Sequence, residues 1–161
     1  MTRKEYNISV KEYSGRLYGY ALKWLRNSQD ADDLVQDVYS KLWQFRKKVS
    51  NDKVKSWLFT SMHNALVNFS KKKTTLSFED VTYEEPFTRG HDYDLEDLIE
   101  KSLSSLPKIQ RSIILLRDRE GYNYNEIGEI LGLKESQVKV YLFRARQKVK
   151  NQLKDLTVLV A

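Results

Sequence analysis

The sequence predicts an all-α protein: two small helical bundles joined by a flexible acidic linker, the second with a helix-turn-helix. Three observations carry that expectation. Apolar residues recur at helical rather than alternating spacing along most of the chain. Only six Gly and two Pro occur in 161 residues, with no strand-turn-strand spacing. Charge then divides the chain into blocks. Residues 1–78 hold 15 Lys/Arg against 7 Asp/Glu, residues 79–100 hold 1 against 9, and residues 101–161 hold 12 against 6. Two basic blocks thus flank the acidic strip EDVTYEEPFTRGHDYDLEDLIE. That strip contains Pro86 and Gly90 and has no apolar periodicity before Leu95. It places a linker at 74–94, between an N-terminal unit (1–73) and a C-terminal unit (95–161).

In chain order, Leu17, Ala21, Trp24 and Leu25 give the first helix, about 11–27, one apolar face. The second covers about 30–47. Asp30 suits its N-cap, Asp32 and Asp33 suit the helix dipole, and Leu34, Val38, Leu42 and Phe45 form its inward stripe. After the polar break Val49-Ser50-Asn51-Asp52, a third helix covers about 53–71, with Val54, Trp57, Leu58, Met62, Ala65, Leu66 and Phe69 inward. Beyond the linker, Leu95, Leu98, Ile99 and Leu103 mark a helix ending near Leu106-Pro107. Another runs about 108–119 and breaks at Glu120-Gly121. The last two cover about 124–131 and 135–153, separated by Gly132-Leu133-Lys134.

Composition excludes several function classes. The chain has no cysteine, so disulfides, thiolate metal sites and cysteine nucleophiles are ruled out. With His63 and His91 alone, a multi-histidine metal site is ruled out too. No run approaches the roughly 18 apolar residues of a membrane span, and MTRKEYNISV lacks an apolar signal core, so a cytoplasmic location is expected. The net charge of +6 attracts polyanions.

The sharpest motif is NYNEIGEILGLKESQVKVYLFRARQKV, from Asn123. Asn123 with Glu126 three residues on fits a capping box. Gly128 is small, as a close helix crossing needs, and Gly132 tolerates the positive φ of a helix exit. Val138, Leu142 and Ala145 are the expected buried positions of the second helix. Ser136, Gln137, Lys139, Val140, Phe143 and Arg144 then face outward. Arg can pair with guanine edges, Gln with adenine, and Val or Phe can touch a thymine methyl. Arg146, Lys148 and Lys150 suit phosphates, which position without specifying. This spacing is the helix-turn-helix pattern, whose second helix enters the major groove.

Two other stretches carry partner chemistry. On the second helix, Asp33, Gln36, Asp37, Ser40 and Lys41 share the face away from the core, a face suited to a basic helical partner. The third starts with Trp57 and Phe59 and ends in Lys71-Lys72-Lys73, and basic residues mixed with aromatics can bind a single strand by base stacking. The turn Ser50 to Lys55 can present polar groups to an unstacked base. The residues alone leave open a ligand- or dimer-controlled helix-turn-helix regulator, a protein-only adaptor, and an enzyme holding Mg²⁺ on Asp32, Asp33 and Asp37.

The segments DADDLVQDVYSKLW, VKSWLFTSMHNALVNFSKKK and LSSLPKIQRSIILLRDREGYNYNEIGEILGLKESQVKVYLFRARQKV, in that order, resemble a bacterial RNA polymerase sigma factor of the sigma-70 family, in the small extracytoplasmic-function (ECF) group. The resemblance covers about 11–152 apart from the linker. It implies a protein that binds core RNA polymerase and promoter DNA and starts strand opening without catalysing a reaction, with no metal, cofactor, catalytic residue or small-molecule substrate. Carried onto this chain, it implies core docking at Asp33, Gln36, Asp37 and Lys41, supported by Trp43. It implies minus-ten strand contacts at Ser50, Asn51, Asp52, Lys53, Lys55, His63, Asn64 and Lys71. Minus-thirty-five contacts fall at Ser136, Gln137, Lys139, Val140, Phe143, Arg144 and Arg146. The 95–119 helices would meet the flap of the core, and the acidic linker would thread through polymerase channels. In that family an anti-sigma protein, frequently membrane-tethered, often sequesters the factor; no residue here identifies one. The chain carries Thr60 and His63 where the family often has Arg, and Lys134 where it usually has a Ser or Thr cap.

Overall fold

The computed structural model describes residues 1–76 and 95–160. Helix α1 spans Arg3–Leu25, α2 Ser28–Phe45, α3 Val54–Leu76, α4 Leu95–Ser104, α5 Lys108–Ile114, α6 Tyr124–Leu131 and α7 Glu135–Val160. A single 3-10 turn, Asn51–Lys53, leads into α3, and a π-helical turn, Leu115–Arg119, prolongs α5. Residues 74–76 continue α3; the rest of the expected linker lies outside the described residues.

Helix α1 starts well before the expected position. Thr2 accepts the Glu5 N–H, and the Glu5 carboxylate accepts the Thr2 N–H, closing a capping box. Its other end stops at Arg26, which adopts a left-handed conformation (φ 56°) and donates its N–H to the Leu22 carbonyl. Helix α2 is capped by Asn27 rather than Asp30. The Asn27 Oδ1 accepts the Asp30 N–H at 2.9 Å, which leaves Asp30 inside the first turn, where its charge suits the dipole.

The first three helices pack as a bundle. Leu34, Val38 and Leu42 are buried as expected, joined by Ala31, Val35 and Tyr39. Phe45 is not: it is 46% exposed, at the last residue of α2 beyond that buried row. Two tyrosines stitch α1 to α2, Tyr39 donating to the Ser9 carbonyl and Tyr6 to the Tyr39 carbonyl. Phe59, an aromatic candidate for nucleic acid in the sequence, is instead fully buried between Tyr20 and Tyr122. Trp57 is half-buried against the core.

In the second group, α6 and α7 meet across Gly132 (φ 69°), whose left-handed backbone turns the chain out of α6. Asn123 and Glu126 form the expected capping box, with both reciprocal bonds present. Val138, Leu142 and Ala145 are buried. Helix α7 runs further than expected, to Val160.

The two helical groups share one hydrophobic core. Leu17, Tyr20, Trp24, Phe59 and Met62 belong to the same buried cluster as Ile113, Leu116, Tyr122 and Ile127. Charges reinforce the seam. Arg16 donates to the Glu120 carboxylate at 3.0 Å and to its carbonyl, and Arg119 pairs with the same carboxylate. Lys23 bridges Glu96 and Glu100. Arg111 lies on the Trp24 ring, donates to the Trp24 carbonyl, and caps the end of α4 through the carbonyls of Leu103, Ser104 and Leu106.

Candidate polymerase and DNA interfaces

The face expected to dock on polymerase is a continuous outward strip of α2. Ala31, Leu34, Val35, Val38, Tyr39 and Leu42 use the inward side, so Asp33, Gln36, Asp37, Ser40 and Lys41 are all exposed. Gln29 donates to Asp33 at 3.2 Å, one turn along the helix. Next to the strip, Trp43 meets Tyr6 edge-on and carries the Arg46 guanidinium 3.9 Å above its ring. Stacking of this kind holds a half-exposed indole in one orientation.

The residues implied for the minus-ten strand divide into two sets. Ser50, Asn51, Asp52 and Lys53 are exposed on the 3-10 turn, with Asn64 and Lys71 exposed along α3. A hydrogen bond from Ser50 holds the Asp52 carboxyl below its usual range. Lys55 and His63 instead face the C-terminal helices. The Lys55 ammonium lies 4.3 Å from the Tyr122 ring centre and 3.9 Å from the Glu126 carboxylate. His63 sits against Trp24, with its Nδ1 2.5 Å from the Ser112 Oγ. Burial pushes its pKa down to about 4. Thr60, one turn earlier, donates to the Ile130 carbonyl of α6. Both positions that depart from the family's arginines are therefore used in contacts between the two helical groups.

On α7, Ser136, Gln137, Lys139, Val140, Phe143, Arg144 and Arg146 are all exposed. The face is partly apolar: Val140 is 45% and Phe143 66% exposed. Of a capping box, α7 keeps the half that does not need a Ser or Thr: the Gln137 Oε1 accepts the Lys134 N–H at 2.9 Å. Gln137 thus has a capping role that its sequence assignment as a base contact did not include. Lys139 is shared between Glu135 and the Tyr124 ring. Arg146 pairs two-pronged with Asp118, at 2.5 Å and 3.2 Å, a restraint no short-range pattern signals because the two residues lie 28 apart in sequence. That pairing and hydrogen bond hold the Arg146 pKa above its ordinary value.

Among the described residues, no group of three or more His, Asp or Glu is placed to hold a metal ion. None of the described helices is long and apolar enough to cross a membrane.

Comparison with known proteins agrees with this layout. The family model described as Sigma-70 region 2 matches residues 9–75, and that described as Sigma-70, region 4 matches residues 96–149. Together they span most of the chain, in the order of the two helical groups. Relatives include the ECF RNA polymerase sigma factor SigM of Bacillus subtilis, 26% identical over 144 residues covering 86% of this chain and 88% of that protein. Another is the RNA polymerase sigma factor SigV of the same organism, 27% identical over 146 residues covering 89% of this chain and 88% of its own length. The fold is also similar to that of the sigma factor RpoE from Bartonella quintana, solved in complex with the anti-sigma factor NepR. The TM-score is 0.78 at 24% identity, covering 94% of this chain and 98% of that one. CnrH, solved in complex with the cytosolic domain of CnrY, gives a TM-score of 0.72 at 19% identity, covering 96% of this chain and 90% of its own. With regions 2 and 4 both present and in order, this chain belongs to the sigma-70 family, in its extracytoplasmic-function group, and directs RNA polymerase to promoters.

Proposed function

We propose that this chain docks on core RNA polymerase through the outward strip of α2, reads minus-thirty-five duplex with α7, and captures the minus-ten strand with the 50–55 turn and α3. The observation that carries the reading is the recognition helix. Its inward residues are buried in the helix-turn-helix, while Ser136, Val140, Phe143 and Arg144 form one exposed row. Arg144 is suited to a guanine edge, and Val140 and Phe143 to thymine methyls. The expected division into an N-terminal and a C-terminal unit follows from the same reading, with α3 carrying the first unit to Leu76 instead of 73.

The chain acts without catalysing a reaction. Its driving forces are core docking, phosphate contacts and base capture, and capture must offset an unpairing cost of a few kcal/mol per base. The protein works in the cytoplasm, where its polymerase partner is. An anti-sigma protein is its expected inhibitor, supported by the two similar folds solved with anti-sigma or CnrY-type partners. Multi-round run-off transcription with purified core polymerase on a promoter library tests the function. Specific initiation that depends on this chain supports it, and no added initiation contradicts it.

A further inference from the structure

The seam between the two helical groups holds a short polar chain inside otherwise apolar surroundings. Tyr20 on α1 donates its hydroxyl to the Ser112 Oγ on α5 at 2.9 Å. The Ser112 hydroxyl then has one hydrogen left to give, and the His63 Nδ1 on α3 lies 2.5 Å away. With His63 neutral and accepting at Nδ1, the Ser112 hydrogen has its acceptor; with a proton on Nδ1, Ser112 must accept from both Tyr20 and His63, and its own hydrogen loses this partner. Ser112 and Tyr20 are fully buried. His63 meets the Trp24 indole from α1 and the Ser112 hydroxyl from α5; Ser112 in turn holds the Tyr20 phenol, and the Arg111 guanidinium lies on the same Trp24 ring. None of these is a carboxylate that would stabilise an imidazolium.

The same seam covers one side of α3. Thr60 is bonded to α6, Lys55 is drawn onto Tyr122 and Glu126, and Phe59 is packed under Tyr122. The Tyr122 hydroxyl is buried there with no hydrogen-bond partner. A buried hydroxyl without a protein partner gains hydrogen bonds in any state that exposes it to water.

We propose that the Tyr20–Ser112–His63 relay is a protonation-sensitive latch holding the two helical groups closed, so that a proton on His63 opens the seam and uncovers the Lys55–His63 side of α3. Protonation turns Nδ1 into a donor and takes the acceptor from the Ser112 hydrogen, and it places a charge where burial penalises it. In the open form His63 is solvated and titrates near the ordinary 6.5. The closed form therefore keeps its full advantage above that value and loses it as pH falls from about 6.5 toward about 4. Between about pH 7.5 and about pH 5.5 the opening equilibrium shifts by about tenfold. The consequence for strand capture rests on the function proposed above; the latch itself does not.

The test uses the full chain without DNA or polymerase, so failure of the latch leaves the promoter reading untouched. Since the native chain has no cysteine, Gln44→Cys and Gln147→Cys place one dye on an exposed position of each group. Single-molecule energy transfer then reads the open population. That population rises about tenfold from about pH 7.5 to about pH 5.5. His63→Gln, which keeps an acceptor but cannot titrate in this range, removes the rise, and Ser112→Ala raises the open population already at the higher pH. An NMR titration of His63 in the unsubstituted chain gives a midpoint well below the ordinary value. A midpoint at the ordinary value, an open population that does not change with pH, or an equal rise in His63→Gln overturns the proposal.

Discussion

A Cβ added to Gly128 would lie 2.6 Å from the Leu133 carbonyl oxygen, so the first helix of the helix-turn-helix touches the backbone of the turn that follows it. The same oxygen-bearing turn is tied back by the Leu133 N–H, which donates to the Gly128 carbonyl at 2.9 Å. Glycine at this position sets the crossing of α6 and α7, and hence the angle at which α7 is presented. Gly128→Ala forces backbone against backbone and is expected to destabilise the chain by about 1–3 kcal/mol. Thermal unfolding followed by circular dichroism measures it; an unchanged Tm would show that the crossing relaxes freely.

Glu120 lies in the seam with its side chain 2% exposed, held by Arg16 and Arg119. Replacing it by Ala strands two guanidinium groups. Both are more than a third exposed, so water recovers much of the loss. Glu120→Ala is expected to cost about 1–2 kcal/mol, below the value for a fully buried pair. Urea unfolding reads this, and the loss should shrink in high salt.

Asp118 restrains Arg146 and withholds one cation from the face proposed to meet DNA. Asp118→Asn is expected to free that guanidinium for phosphate. Non-specific duplex affinity should rise, and the slope of log K against log salt should steepen by about one contact's worth. Fluorescence anisotropy across a salt series checks it. A rise confined to one promoter sequence would instead make Arg146 a base contact.

Arg144→Ala is expected to lose affinity selectively at one or two base pairs, by about 1–3 kcal/mol, in competition binding against single-base-pair variants. A uniform loss across sequences reassigns it to phosphate.

Much of this arrangement is legible in the sequence, and the limits have physical causes. Asn123, Glu126, Gly132 and Val138 announce the helix-turn-helix because capping, left-handed backbone and 3.6-residue periodicity all act within a few residues. The outward strip Asp33–Lys41 follows from the same periodicity. Start signals already visible at short range were missed at α1, where Thr2 and Glu5 form a capping box, and at α2, where Asn27 outcompetes Asp30. The seam is different in kind. Tyr20 and Ser112 lie 92 residues apart, and Arg16 and Glu120 lie 104 apart, so no local pattern pairs them. The turning of Lys55, Phe59 and His63 toward α5 and α6 is a tertiary outcome, decided by packing of apolar faces that each helix shows on its own only as a stripe.

The central claim is that the α2 strip brings this chain to RNA polymerase. Affinity for purified bacterial core enzyme, measured by surface-coupled binding at low salt, tests it most directly with Asp37→Lys as the control. The unsubstituted chain should bind core and support initiation, while Asp37→Lys keeps its helical content and binds core at least tenfold more weakly, about 1.4 kcal/mol. Equal binding by both chains, or no binding by either, would contradict the account.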